Sequence, residues 1–465
     1  MHIEQIYTGC LAQGAYYIES NGEVAIIDPL REIEPYLERA NQANHTIKYV
    51  LETHFHADFV SGHLDLAKAT GAKIVFGPEA HPDFDYHSAK DGEELALGAV
   101  KIRILHTPGH TPESTTYLLL DEGGKPHAIF TGDTLFLGDV GRPDLAIKSD
   151  VTEEQLAGML FDSLRGKIMT LPDEVIVYPG HGAGSACGKN MRKETVGTVG
   201  GEKATNYALR SDLSREEFIK EVTTGLLPPP AYFPKNAAMN KRGYESIDEV
   251  LDRGLQSLSA AGFEAAANET GALVLDTRDP ESFSQGFIPN SINIGIDGNF
   301  APWVGALVID IKQPILLIAP VGREEEVVTR LARVGYDHAI GYLNGGIESW
   351  KDVGKELDHI ENISPENFAK KHEAEKLKVI DVRKPSEFEA GHLAGAENHP
   401  LDFINSHMQA FSKSETQYVH CAGGYRSMIA MSILKARGYN NLVNVRSGFE
   451  AITAAGVAME KGITI

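Results

Sequence analysis

The sequence predicts a multidomain α/β protein, and three observations carry that prediction. The chain has 465 residues, well past the ~250 to 300 at which a single core stops growing. Short β-branched runs alternate with helical patterns and polar loops along its first half. The second half contains a duplicated stretch, the mark of two copies of one domain.

Composition narrows the function classes. Hydrophobic residues make up 42% and charged residues 23% of the chain, as in folded water-exposed domains. Lys plus Arg number 43 against 65 Asp plus Glu, a formal charge of −22. That excess repels phosphate backbones and anionic lipid, so neither nucleic acid nor membrane is an expected partner. The first residues lack a basic flank with an apolar run, and no stretch reaches the ~20 apolar residues of a span. A cytoplasmic protein is therefore expected. Three cysteines, Cys10, Cys187 and Cys421, do not make a disulfide framework, and each thiol is judged separately.

From residue 1 to about 235, runs such as Val24 to Ile27, Lys73 to Phe76, Lys101 to Leu105, Thr115 to Leu120 and Val175 to Tyr178 read as strands, with His and Asp gathered in the loops after them. Leu226-Leu-Pro-Pro-Pro-Ala-Tyr-Phe-Pro interrupts any helix or central strand and suggests a boundary near 235. The expected domains are 1–235, 236–358 and 359–465.

The last two are copies of one another. Asp276, Arg278, Pro280, Phe283, Gly286 and Asn293 recur as Asp381, Arg383, Pro385, Phe388, Gly391 and Asn398, all at one offset, 381 − 276 = 105. Gly335-Tyr336 recurs as Gly438-Tyr439. Each copy, roughly 100 residues, reads as a small parallel α/β sheet. Trp350 and the Gly345-Gly346 turn read as structural.

The N-terminal half carries a metal-ligand pattern. Thr53-His-Phe-His-Ala-Asp-Phe-Val-Ser-Gly-His follows the apolar run Tyr49-Val-Leu and packs His54, His56, Asp58 and His63 into one turn region. His110 in Thr107-Pro-Gly-His, Asp133 in Phe130-Thr-Gly-Asp and His181 in Tyr178-Pro-Gly-His each follow a strand-like run and a glycine, which allows close backbone approach. Imidazole and carboxylate donors suit zinc or ferrous iron.

This pattern resembles the metallo-β-lactamase superfamily, whose His-x-His-x-Asp-His motif lies on an αβ/βα sandwich and whose hydrolases commonly bind two metals. The chain departs from it at Phe59, where hydrolases such as glyoxalase II usually carry histidine. A phenyl ring has no lone pair to donate, which favours one metal over two. The sequence is more similar to the persulfide dioxygenase branch. That resemblance implies one Fe(II) per chain held by His54, His110 and Asp133, with His56, Asp58 and His181 orienting the ligands and bound water. Leu135-Phe-Leu-Gly-Asp-Val-Gly-Arg-Pro-Asp is similar to the Gly-Arg-x-Asp stretch of those dioxygenases. It implies that Arg142 lies near the substrate, where it could pair with an anionic sulfur or carboxylate, with Asp144 holding it in place. His181-Gly-Ala-Gly-Ser-Ala-Cys-Gly-Lys resembles the version found in dioxygenases fused to rhodanese domains and places Cys187 near the entrance to the metal.

Near the C-terminus, Gln417-Tyr-Val-His-Cys-Ala-Gly-Gly-Tyr-Arg-Ser reads as a strand, a glycine loop and the start of a helix. The loop's free N–H groups, the helix dipole and Arg426 would stabilise a thiolate at Cys421, the form that attacks sulfane sulfur. The Cys-x-x-Gly-x-Arg loop resembles the active loop of rhodanese, which makes Cys421 and Arg426 the catalytic candidates; related phosphatases use a longer loop. In the first copy Ile318 or Ala319 stands at the cysteine position, and neither can carry a persulfide. That copy reads as a degenerate rhodanese that packs other domains, and its apolar surface leaves room for a homo-oligomer.

Together these readings imply a persulfide dioxygenase joined to a sulfurtransferase. The first would oxidise a low-molecular-weight thiol persulfide with O2 to sulfite; the second would make or use thiosulfate through Cys421, in sulfide detoxification. The alternatives are a dinuclear zinc thioester hydrolase of the glyoxalase II type and a sulfur-relay or scaffold protein.

Overall fold

Two six-stranded sheets organise the N-terminal half. In one, β1 (His2–Thr8), β2 (Gln13–Ser20), β3 (Glu23–Ile27), β4 (Thr46–Leu51), β5 (Lys73–Phe76) and β6 (His87–Ser88) lie in chain order. The other contains β7 (Glu94–Leu97), β8 (Val100–His106), β9 (Thr115–Leu120), β10 (Pro126–Gly132), β11 (Ile176–Pro179) and β12 (Gly197–Thr198), again as sequential neighbours. β3 to β6 pair in parallel, as do β10 and β11, and the remaining pairs are antiparallel.

Burial on both faces explains the continuous apolar runs of the sequence. In β9, Tyr117 and Leu119 pack with Ile18, Ile27, Leu51 and Val75 of the facing sheet. Leu118 and Leu120 turn the other way, into a core shared with Leu160 of the helix Glu153–Ser163 and Phe218 of the helix Arg215–Thr223. On the far side of the first sheet, Tyr36 and Ala40 of the helix Glu34–Ala43 cover Tyr17, Ile26 and Val50. The layers run helix, sheet, sheet, helix, the αβ/βα sandwich that the sequence predicts.

The computed structural model describes residues 1–146 and 151–461. They divide into two units, Met1–Glu249 with Ala332–Gly335, and Val250–Leu331 with Tyr336–Ile465. The first unit thus continues to Glu249, past the proline run near which the sequence suggests a boundary. The physical reason is polar: Asn240, buried on the helix Phe233–Arg242, bonds the backbone of the His54 loop, and Asp65 accepts the N–H of Ile247 at 3.0 Å.

The second unit holds two sheets of one plan. β13 (Ser257–Leu258), β14 (Leu273–Asp276), β15 (Ile292–Asn293), β16 (Ile315–Ile318) and β17 (Ala339–Leu343) are ordered β13-β17-β16-β14-β15, all parallel. In the second copy come β18 (Glu361–Ile363), β19 (Val379–Asp381), β20 (His392–Leu393), β21 (Glu397–Asn398), β22 (Gln417–His420), β23 (Leu442–Val445) and β24 (Met459–Glu460). Its parallel sheet is ordered β18-β23-β22-β19-β21, and β20 pairs with β24 apart from it. Trp350 is buried in the first copy's core with Phe263 and Ile347.

The duplicated residues make the same buried clamp in each copy. Arg278 grips the Asp276 carboxylate and donates to Gly286 O at 2.9 Å, while Asn293 Nδ2 donates to the carbonyls of Asp276 and Arg278. Arg383, Asp381, Gly391 and Asn398 repeat every one of these contacts. Those matches are therefore scaffold, and the difference between the copies lies in the loop after the central strand. Among the described residues no helix is long and apolar enough to cross a membrane.

Candidate metal centre and sulfur-carrying loop

The loops after β4, β8, β10 and β11 bring His54, His110, Asp133 and His181 together from positions up to 127 residues apart, 181 − 54 = 127. A glycine makes one of these approaches sterically feasible: Gly132, with φ +49°, lies so close to Thr53 that a Cβ there would sit 2.4 Å from Thr53 Oγ1. Asp133 Oδ2 lies 3.5 Å from His110 Nε2 and 3.9 Å from His54 Nε2. Ligand atoms of the three side chains fall within 4.8 Å of one another, and all three residues are buried.

Each of the three has its other polar atom fixed by a neighbour. His110 Nδ1 lies 2.9 Å from the carbonyl of Arg142, His54 Nδ1 lies 2.9 Å from Thr53 Oγ1, and Asp133 Oδ1 lies 2.8 Å from His181 Nδ1. Both Nε2 atoms and Asp133 Oδ2 are thereby left to a shared centre, and Oδ2 is buried with no hydrogen-bond partner. A buried carboxylate oxygen without a partner beside two imidazole nitrogens is the donor set that a divalent transition metal satisfies. The residues present fit a metal.

Electrostatics favour the ligating forms. Burial first, then His56, pulls His54 well below the usual imidazole range, so it is neutral with a free lone pair. Burial opposes ionisation of Asp133, but His181, His54 and His110 hold it lowered and charged. His181 stands between Asp133 and Asp58, 2.8 Å from a carboxylate oxygen of each; burial works against its cation, yet the two carboxylates raise it well above the ordinary value.

His56 belongs to a different group. Its Nε2 is 3.1 Å from Asp28 Oδ1 and 3.6 Å from Glu52 Oε2, and its ring packs on the buried phenyl of Phe59 at 4.3 Å. Glu52, raised well above the carboxylate range by burial and by Asp28, accepts a hydrogen bond from the Ser61 hydroxyl at 2.6 Å. Asp28 in turn accepts from both the N–H and the hydroxyl of Thr53, the residue next to His54. His56 therefore orders the loop from behind. His63, buried near Glu52 and pulled down to about 3 by burial, lies in the same layer.

Arg142 forms a fork-to-fork pair with Asp144, with 2.6 Å for both contacts, and its Nη1 donates to Ala186 O at 3.3 Å. Its main-chain N–H bonds Cys187 O at 3.0 Å. The expected pairing with Asp144 is present, and the residue also ties His110 to the Cys187 loop through its backbone. Cys187 is buried; its ligating atom lies with those of Asp58 and His181 inside 4.8 Å, and burial, then Asp58 and Asp133, push its thiol well up.

Sequence reasoning missed Asn240. Its Nδ2 donates to His56 O and Phe59 O, both at 2.8 Å, and its Oδ1 accepts the N–H of Ser61 at 2.9 Å. One buried amide thus closes the whole His54 loop. The Asn type at a buried helix position was the available signal.

In the second unit Cys421 follows β22 and is 1% exposed. Its Sγ accepts the N–H of Gly424 at 3.1 Å, and Gly424 has φ +97°. Arg426 is paired bidentately with Glu387 at 2.5 and 2.8 Å. A cleft of about 540 Å³ beside this loop is lined by Gly423, Gly424 and Arg446, with Asp279 and Glu281 of the first copy opposite. The registers resolve which residue replaces the cysteine in that copy. Asp276 pairs with Ile318 as Asp381 pairs with His420, so Ile318 corresponds to His420 and Ala319 to Cys421.

The sequence pattern of the Metallo-beta-lactamase superfamily matches residues 8–181, and that of the Rhodanese-like domain matches 259–353 and 364–455. A crystal structure of a metallo-beta-lactamase from Staphylococcus aureus superposes with TM-score 0.64 at 32% identity, covering 74% of this chain and 98% of that one. The chain belongs to the metallo-beta-lactamase superfamily, fused to rhodanese-like domains. Among relatives of the superfamily domain, the human mitochondrial persulfide dioxygenase ETHE1 is 30% identical over 210 residues, 45% of this chain and 74% of that protein. A hydroxyacylglutathione hydrolase of Rhodospirillum rubrum is 35% identical over 165 residues, 35% of this chain and 58% of that protein, so the match spans less than two thirds of its length.

Proposed function

We propose that the superfamily domain is a mononuclear Fe(II) persulfide dioxygenase and that Cys421 carries sulfane sulfur in a coupled sulfurtransferase. One observation carries the first half: the shared centre is built from two imidazoles and one carboxylate, while His56 is turned to Asp28 and residue 59 is a phenyl ring. Two histidines and a carboxylate on one face are the donor set of non-haem iron oxygenases, because the remaining positions stay open. Ferrous iron held by His54, His110 and Asp133 would supply O2 activation next to a bound persulfide sulfur.

The chain's own residues do the rest. Arg142 O and Thr53 Oγ1 fix the two imidazole orientations, and His181 keeps Asp133 ionised with Oδ2 presented. The persulfide S–S bond breaks, the thiol leaves, and the terminal sulfur departs as sulfite with both atoms of O2 and one oxygen of water. At Cys421 the thiolate attacks the terminal sulfur of a small-thiol persulfide, whose S–S bond breaks as the small thiol leaves, and sulfite attack on the resulting Cys421 persulfide returns the thiolate and yields thiosulfate; in the reverse direction thiosulfate is the donor and sulfite leaves. The Gly424 N–H at 3.1 Å supports the anionic sulfur. The relatives that bear on this reading are the human persulfide dioxygenase and the rhodanese-like pattern.

A second reading, a dinuclear hydrolase, is favoured by one observation, the Asp58, His181 and Cys187 group beside the centre, and by the hydroxyacylglutathione hydrolase relative. Anaerobic purification with iron, metal analysis, and O2 uptake with sulfite release on adding a small-thiol persulfide distinguish the two. About one iron per chain with persulfide-dependent O2 uptake is expected. Two zinc ions per chain, thioester hydrolysis and no O2 uptake after iron loading would overturn the proposal.

A further inference from the structure

The loop that bears Cys421 is tied to its own copy by Phe449 N–H on Cys421 O at 2.8 Å and by Ser427 Oγ on Gly424 O at 3.1 Å, and three consecutive residues add further contacts. Gly424 N–H points at the sulfur, Arg426 is anchored on Glu387 of the same copy, and Tyr425, between them, is anchored on the copy that has no cysteine. The Tyr425 hydroxyl donates to Gly295 O at 2.7 Å. Its ring lies so tightly over the turn 295–298 that a Cβ on Gly298 would sit 2.3 Å from Cζ, and one on Gly295 would sit 3.3 Å from Cε2.

That turn is itself fixed. Ile296 N–H bonds Thr277 O at 2.9 Å, Arg330 Nη1 donates to Ile296 O at 2.7 Å, and Arg323 Nη1 pairs with Asp297 at 2.7 Å. Two turns along the helix Tyr425–Ala436, Ser432 Oγ accepts the N–H of Asn293 in β15 at 3.0 Å. The run Ser427 to Leu434 is buried at every position, since the helix has its own sheet on one side and the first copy on the other. The contact is thus a continuation of a packed surface and not a chance touch of one side chain.

We infer that Tyr425 is a positioning residue and that the cysteine-less copy holds the Cys421 loop through it, as a working part of the sulfur-transfer site. The loop must keep the Gly424 N–H aimed at sulfur while Cys421 alternates between thiolate and persulfide. Gly424 and its neighbours are conformationally free on their own, because two glycines stand in sequence there. A ring seated on a fixed turn, covalently next to Gly424, removes that freedom. Gly298 is required for the fit, since any side chain there would displace the ring.

This inference rests on the assignment of sulfur transfer to Cys421, and the test separates the two. Sulfur transfer from thiosulfate to a small thiol is measured for the full chain and for Gly298→Ala, Tyr425→Ala, the double variant, Tyr425→Phe and Cys421→Ser, with Cys421 persulfide followed by mass spectrometry. Gly298→Ala and Tyr425→Ala should each lower kcat about tenfold with KM for thiosulfate little changed, as misplacement of a reacting group does. In the double variant the loss should be no larger than in Tyr425→Ala, because the added methyl acts only through the ring. Tyr425→Phe, which keeps the ring, should restore most of the rate. Losses that multiply in the double variant, or a Gly298→Ala protein with full activity, would overturn the role of Tyr425. Transfer that survives in Cys421→Ser would overturn the assignment beneath it. If Gly298→Ala does not fold, the contrast between Tyr425→Phe and Tyr425→Ala decides.

Discussion

His181 Nδ1 lies 2.8 Å from Asp133 Oδ1, and that contact determines which carboxylate oxygen is left for the metal. A second partner, Asp58, holds the other ring nitrogen at 2.8 Å, so the imidazole cannot turn away without breaking both contacts. Replacing His181 by Ala should therefore weaken metal binding roughly 10- to 100-fold, as loss of a ligand-orienting partner does. Chelator competition measures it. Asp133→Ala should abolish binding, and a His181→Ala protein that holds the metal as tightly as the unaltered chain would remove His181 from the assembly.

Asn240 closes the His54 loop with three hydrogen bonds, and the prediction is one of stability. Asn240→Ala leaves the His56 and Phe59 carbonyls and the Ser61 N–H without their partner in a buried site. At ~1 to 3 kcal/mol per unsatisfied buried group, partly relieved by water, the loss should be at least about 2 kcal/mol. Urea unfolding of the chain reads it. Asn240→Asp should be no better, because the second oxygen replaces the donor that faces two carbonyls.

Asn240 also marks where sequence reasoning stopped. His110, Asp133 and His181 were legible because each follows a strand-like run and a glycine, and His54 because it opens a dense His and Asp turn after an apolar run; the layered fold was legible from runs such as Thr115 to Leu120. Asn240 lies on a helix beyond the proline run, 240 − 54 = 186 residues from the loop it serves, and no spacing rule connects them. Arg142 was legible as a partner of Asp144, but the use of its carbonyl by His110 Nδ1 depends on the fold of the main chain. The helix after Cys421 shows no amphipathic stripe because both of its sides are covered. Tyr425 was hidden for the same reason, since its contact is with another domain copy. The Ile318 or Ala319 ambiguity needed the strand register.

The Glu387–Arg426 pair predicts an acid limb in the stability of the second unit. The bidentate bond from Arg426 holds the Glu387 carboxyl below its ordinary value, against the opposing effect of burial. A depressed folded-state value means stability that is fully present above the unfolded value of about 4.3 and is lost as pH falls through the lower folded value. Glu387→Gln should remove that acid-dependent component. Because the Glu387 side chain is 34% exposed, its cost at neutral pH should be no more than about 1 kcal/mol. Thermal unfolding from pH 3 to 7 measures both, and parallel curves for the two proteins would contradict the pair.

The correspondence of Ala319 with Cys421 allows a stricter test of the loop than deletion of the thiol. Counting on from the aligned pair, Pro320 stands where Ala422 does, Val321 where Gly423 does, Gly322 where Gly424 does, Arg323 where Tyr425 does and Glu324 where Arg426 does. A cysteine placed at 319 would gain a glycine at the position that bonds sulfur, with the same left-handed backbone, φ +87° against +97°. It would also meet a proline with no N–H and a carboxylate in place of the arginine, and a neighbouring negative charge disfavours a thiolate. Ala319→Cys in a Cys421→Ser chain should therefore restore no sulfur transfer above background. Adding Glu324→Arg to that chain removes the repulsion and supplies the missing cation, and it should raise transfer measurably if charge at this position is what the loop lacks. If Ala319→Cys alone restores the full rate, the chemistry resides in the thiol and not in the loop around it.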